Sequence, residues 1–191
     1  MSKLHWKPGT MIYPVPAVMV SCGAKEDEYN IITIAWTGII CSDPAMCYIS
    51  VRPERYSYDI IKRNNSYVIN LTTKELAYAT DWCGVKSGRE FDKFREMNLT
   101  PGKAVKINAP MIKESPVNIE CVVKEIKPLG THDMFISEIV SINVSEKYID
   151  KKTNEFRFAK SGPMAYCHGK YYQIGEFIGK FGYSVQKKKK R

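Results

Sequence analysis

The 191-residue chain lacks most of the features that mark specialised protein classes. It has no run of about 18 apolar residues, which excludes a membrane-spanning helix. It has three histidines, His5, His132 and His168, none close to another, and its six cysteines (Cys22, Cys41, Cys47, Cys83, Cys121 and Cys167) show no CxxC spacing. This scarcity speaks against a zinc centre and against a disulfide framework, and it suits reduced thiols in a cytoplasm. No Walker or Rossmann glycine pattern occurs, because Gly84 and Gly88 are wrongly spaced and Gly23 has no partner. Met11 to Cys22, preceded by Lys3 and Lys7, imitates an export signal, but Pro14 and Pro16 break the helix such a signal needs.

What remains is ordinary folding material. With 44% hydrophobic and 12% aromatic residues the chain can build one core. The formal charge of +9 suggests an anionic partner, yet Lys187 to Arg191 are five consecutive basic residues and carry much of the excess. The reading is a single domain over 1–186 followed by a basic tail at 187–191. Val15 to Ser21 and Ile31 to Thr37 read as a hairpin, with Ile32, Ile34 and Trp36 alternating with Thr33, Ala35 and Thr37. Met46 to Val51 is a third strand, followed by a short helix started by Pro53 and Ser57. Tyr67 to Leu71 is another strand. Capping-box spacings at Thr72/Glu75 and Ser87/Glu90 predict two further helices. Val117 to Ile126 and Met134 to Val144 form a second hairpin, in which Glu138 interrupts an apolar face and is read as one half of a structural ion pair. Many strands with few, brief helices predict an antiparallel barrel, mainly β with short helices, and not an alternating βαβ fold.

Three segments could carry chemistry. In Ser50 to Ser57, Arg52, Arg55 and the Ser57 hydroxyl converge near a helix start, as a phosphate cradle requires. The same residues also suit a solvated arginine pair with Glu54 as partner and Ser57 as a helix cap. In Asn30 to Gly38, backbone groups on a small-residue face could meet the edge of a flat heteroaromatic ligand, with Trp36 as a wall. The alternative is an ordinary half-buried strand. Asp81 to Lys93 combines glycines with cations, and could bind an anion or merely connect two helices. Cys83 has no histidine placed by sequence to activate it and reads as a core residue. His5 and His132 read as solvated.

Taken in order, these segments resemble the flavin reductase-like family of FMN-binding split barrels, in its flavoredoxin branch. The matching stretches include Tyr13-Pro14-Val15-Pro16, Asn30 to Gly38, Cys41-Ser42-Asp43-Pro44, Ile49 to Tyr58, Val68 to Leu71, Cys83-Gly84 with Ser87-Gly88-Arg89, Asp92-Lys93-Phe94, Pro116 to Cys121 and Leu129 to Asp133. The resemblance implies a six-stranded antiparallel Greek-key split barrel and a cytoplasmic homodimer. It also implies non-covalent FMN, with NAD(P)H as a candidate reductant. It puts the FMN phosphate on Arg52, Arg55 and Ser57 and the flavin ring on Thr33, Ala35, Trp36 and Thr37. Further contacts fall on Asn30, Asn70, Cys83, Ser87 and Lys93. The implied activity is that of a flavin reductase or an FMN electron carrier, for which an acidic electron-transfer protein is a fitting partner. No catalytic acid–base set, metal, nucleic acid or membrane is called for. Two rival readings are a non-enzymatic nucleic-acid-binding β-barrel and an oxidase acting on pyridoxamine phosphate.

Overall fold

The structure, a computed structural model, describes residues 1–185, so the basic tail at 187–191 lies outside the described residues. Strands β1 (Val15–Pro16), β2 (Val18–Cys22), β3 (Asn30–Ile34), β4 (Thr37–Ser42) and β5 (Ala45–Val51) lead into helix α1 (Tyr56–Asn64). Then follow β6 (Ser66–Leu71), α2 (Ala77–Val85), α3 (Lys93–Glu96), β7 (Pro101–Gly102) and β8 (Met111–Ile112). The long strands β9 (Val117–Pro128) and β10 (Asp133–Val144) come next, and β11 (Met164–Cys167) and β12 (Lys170–Gln173) close the order.

The main sheet is antiparallel, with seven strands in the order β3-β2-β6-β9-β10-β5-β4. Its two edge strands are consecutive in sequence, separated only by a bend at Ala35 and Trp36. The strand expected to end at Thr37 turns there and runs on to Ser42 against β5, which makes seven segments of the expected six strands. β2 is apolar except for Ser21, and it shows no alternation because both of its faces are buried. One face, through Val18 and Val20, joins Ile32, Ile34, Ile49, Tyr67 and Phe135 inside the barrel. The other, through Met19, joins Ile31, Leu76, Cys83, Phe94 and Ile112 beneath the helices. The β9–β10 hairpin bends round the core at two register shifts, between Ile136 and Ser137 and between Ile139 and Ser141. On it Glu138 meets Lys124 at 2.6 Å, an ion pair at a partly exposed position. Among the described residues, no helix is long and apolar enough to cross a membrane.

Both expected capping boxes are absent, because a tertiary contact takes the Thr72 side chain and a local turn takes that of Ser87. The Thr72 hydroxyl donates to the Ala17 carbonyl in the barrel, and the segment enters α2 through a 3₁₀ turn at Lys74–Leu76. Ser87 closes a turn onto the Arg89 N–H at 3.2 Å, while Asp92 caps α3 through the Arg95 N–H at 3.2 Å. At the base of the barrel the fully buried Glu120 carboxylate accepts from the Val105 N–H at 2.8 Å, the Lys106 N–H at 2.7 Å and Asn143 Nδ2 at 2.8 Å.

Burial raises the Glu120 pKa, but these donors outweigh it and hold the carboxyl below its ordinary value. A lowered folded-state pKa stabilises the fold above the unfolded-state value, and that stability is lost as pH falls through the folded-state value. Glu120→Ala should therefore cost roughly 3 kcal/mol in urea unfolding at pH 7, as buried donors lose a charged partner. The gap from the parent should narrow on acidification. A gap that widened would contradict the assignment.

Candidate functional site

β3 is an edge strand with one open side. All of β3, from Asn30 to Ile34, lies in register with Cys22 to Val18 of β2, but the Ile31 carbonyl turns away from β2 and accepts from Lys93 Nζ at 2.8 Å. Hydrogen-bonding direction alternates along a strand, so the Thr33 N–H and C=O also face away from β2. Across from this edge stand the end of β5 and the entry to α1. The seam between them is a cleft of about 390 Å³, with Thr33, Ala35 and Trp36 on one bank and Ser50, Arg52, Glu54 and Arg55 on the other. His132, from the β9–β10 turn, and Tyr166, from β11, complete its walls. The Arg52 guanidinium donates to the Glu54 carboxylate at 3.2 Å, an exposed pair.

A second compartment of about 230 Å³ continues the cleft, sharing Ile32, Glu54 and Arg55 with it. Four cations, Arg55, Lys86, Arg89 and Lys93, line it against the single carboxylate of Glu54. Each cation is held by its surroundings. Arg55 donates to the Gly84 carbonyl, and Arg89 lies over the Tyr56 ring at 5.4 Å. Lys86 lies over the Phe91 ring at 5.5 Å, and Lys93 Nζ donates to the Ile31 and Cys83 carbonyls at 2.8 Å each. Burial pushes the Lys93 pKa down to about 8, with Cys83 acting against that shift and Arg55 adding to it. Ser57 does not cap α1, whose N-cap is Arg55. It is buried, and its hydroxyl accepts from Asn30 Nδ2 at 2.7 Å. Gly88 is required by close approach, since a Cβ there would stand 2.2 Å from Asn30 Oδ1.

The clefts thus bring together Asn30, Thr33, Ala35, Trp36, Arg52, Arg55, Ser57, Ser87 and Lys93. They leave out three expected contacts. The Thr37 hydroxyl donates to the Tyr48 carbonyl at 2.6 Å. Asn70, wholly buried, donates to the Met19 carbonyl at 2.9 Å and accepts from the Ile112 N–H at 3.0 Å and Asn118 Nδ2 at 2.8 Å. Cys83 is also wholly buried, and burial pushes its thiol pKa up to about 11, partly offset by Lys93. These three side chains are buried in the fold and do not line the clefts. Conversely, His132 and Tyr166 line the cleft although nothing local marks them. His132 reads as a solvated turn residue, and Tyr166 lies in the aromatic final third.

A third compartment, of about 510 Å³, opens from the same corner and shares Ala35, Trp36 and Ser50 with the seam. Among the described residues, no cluster of His, Cys, Asp and Glu suits a metal ion, and all six cysteines are free.

An antiparallel split barrel with a ligand-sized cleft along one open strand edge defines the class of flavin reductase-like split barrels. The chain belongs to the flavin reductase like domain family, whose pattern matches residues 10–175. It is similar to the solved flavoredoxin of Desulfovibrio vulgaris (Miyazaki F), with 28% identity, coverage of 97% of this chain and 100% of that one, and a TM-score of 0.88. A solved FMN-binding protein from Thermus thermophilus, 19% identical over 94% of this chain and 99% of that one, shares the fold at a TM-score of 0.77. An uncharacterized protein of Pyrococcus abyssi is 28% identical over 148 residues, 78% of this chain and 84% of its own.

The lowered Lys93 pKa has a testable sign. Between about 8 and the ordinary value of 10.5 the unfolded chain holds a proton that the folded chain has released, so folding gains stability as pH rises through that window. The stability difference between the parent and Lys93→Met should move in favour of the parent from pH 8 to pH 10. A difference that stayed constant would show that the amine titrates normally.

Proposed function

We propose that the chain binds FMN non-covalently along the seam and works as a flavoprotein oxidoreductase, as an NAD(P)H-dependent flavin reductase or a flavoredoxin-like electron carrier. The observation that carries this reading is the polarity of the cleft. One end gathers four cations around a single carboxylate, and the other offers an uncharged strand edge beside Trp36. A phosphomonoester joined to a flat heteroaromatic ring has the same polarity.

FMN supplies the redox chemistry when bound, while the protein supplies position and electrostatics. Arg55 and Lys93 are the residues for the phosphate, helped by Ser57 and the positive end of α1. The open Thr33 backbone would meet the polar edge of the ring, and Trp36 would bound its apolar part. Arg52, on the opposite bank, would favour negative charge arriving on a ring seated there. Convergence of the cations in a pocket, and not along an aromatic-interleaved groove, supports this reading over nucleic-acid binding.

The same reading includes a cytoplasmic homodimer. Trp6, Ile39, Phe177, Ile178 and Phe181 are exposed apolar side chains that a second copy would cover. An acidic electron-transfer protein is the partner suited to the exposed Arg52, Lys86 and Arg89 beside the cleft.

Titration of the flavin-free protein should show FMN bound much more tightly than riboflavin. Arg55→Ala should weaken FMN by about 1.5–3 kcal/mol, roughly ten- to a hundred-fold, and leave riboflavin nearly unchanged. Equal losses for both would remove the phosphate role of this segment. FMN affinity, unlike riboflavin affinity, should also fall as pH rises above about 8, where Lys93 loses its charge. Sedimentation of the FMN-loaded protein at micromolar concentration should give a dimer, and a monomer would refute that part of the reading.

A further inference from the structure

We propose that the third compartment is a second ligand site, built for an uncharged planar ring compound of the quinone class; the proposal rests on the FMN reading, since it places this ligand beside a ring seated in the seam. The two spaces meet at Ala35, Trp36 and Ser50, so Trp36 forms a boundary between their occupants. Their chemistry differs sharply. Arg52, Glu54, Arg55, Lys86, Arg89 and Lys93 line the seam and its cationic end. No charged side chain lines the third compartment, whose larger walls are Met11, Tyr13, Trp36, Tyr48, Leu129 and Met134.

Three aromatic rings, from the lead before β1, the β3–β4 corner and β5, suit offset or edge contacts with a flat ring. The methionines add soft, adaptable contacts to the same faces. Tyr13 is held from behind, its ring 4.6 Å from that of His168 and 6.2 Å from that of Tyr166, so this wall is buttressed. Ser50 and Thr10 stand among the apolar lining residues and bring hydroxyl groups able to donate to a ring carbonyl, which favours a quinone over a hydrocarbon. At about 510 Å³ the space is of the size that small-molecule sites occupy. The compartment has no cation to receive a phosphate, so its lining favours an uncharged ligand over an anionic one.

The test uses the FMN-saturated full chain in equilibrium dialysis against 2-(hydroxymethyl)anthraquinone and, separately, anthraquinone-2-sulfonate, which carries a fixed negative charge on the same ring. One equivalent of the neutral probe should bind without releasing FMN, and the sulfonate should bind at least tenfold more weakly. Met134→Trp, which fills the space, should lower affinity for the neutral probe at least tenfold with FMN affinity unchanged. Leu129→Glu, at an exposed turn position where the fold is not at stake, should do the same by introducing a charge. Release of FMN by the probe, equal binding of both probes, no binding, or full binding by both variants would each overturn the proposal. If FMN itself does not bind, the reading above falls by its own titration. The compartment is then judged on the flavin-free chain, where Met134→Trp must still abolish probe binding.

Discussion

Everything distinctive about this barrel follows from the two-residue corner at Ala35 and Trp36. The chain cannot pair β3 with β5, because at the corner it leaves the line of β3 and begins to pair with β5 itself. The Ser50 N–H donates to the Trp36 carbonyl at 2.9 Å, and the Thr37 hydroxyl holds the Tyr48 carbonyl immediately afterwards. Ahead of the corner, Ile32 and Ile34 are fixed in the core, and the Thr33 hydroxyl is tied to the Thr80 carbonyl of α2. With both sides anchored, the sheet closes at one end of the seam and stays open at the other. The cleft is therefore a geometric result of closure and not a hollow carved into a finished core.

Framework and site share their groups at the cationic end. Lys93 is buried among carbonyls and thiols, where its charge is costly, and it is tolerated because two carbonyls accept from it. The Asn30 amide reaches Ser57 and so links the edge strand to the first turn of α1. Tyr58, one residue further along, donates to Asp133 at 2.5 Å and fastens the same helix to the hairpin that carries His132. An anion in this compartment would offset a repulsion among cations that the fold already carries, so occupancy and stability are coupled there.

The strands of Val15 to Val51 and of the β9–β10 hairpin were legible because each carries a local signal, an apolar run in β2 and an alternation of more and less buried positions in β5 and in the first half of β10. So was the convergence of Arg52 and Arg55, which sit at one strand–helix junction. What could not be read was whatever depends on contacts between distant segments. Thr72 and Ser87 have the spacing of caps, yet partners elsewhere claim one hydroxyl and a local turn claims the other. Asn70 and Cys83 look like polar and reactive candidates in a string of letters, but the register of β6 against β2 and β9 and the packing of α2 bury them. His132 and Tyr166 reach the cleft only through tertiary placement, from a turn and from a small three-stranded sheet that lacks a strong alternation.

The open side of β3 has one more consequence, for the protein's behaviour in a crowded solution. An unpaired strand edge is a template on which another chain can add a strand, and natural proteins discourage this with bulk and like charge. Here the Lys93 amine occupies the Ile31 carbonyl, and Arg52 and Arg55 stand opposite the rest of the edge. A foreign strand would have to displace that amine and bury two guanidiniums to pair. The side chains that make the seam attractive to an anionic ligand therefore also keep it from acting as a nucleus for aggregation.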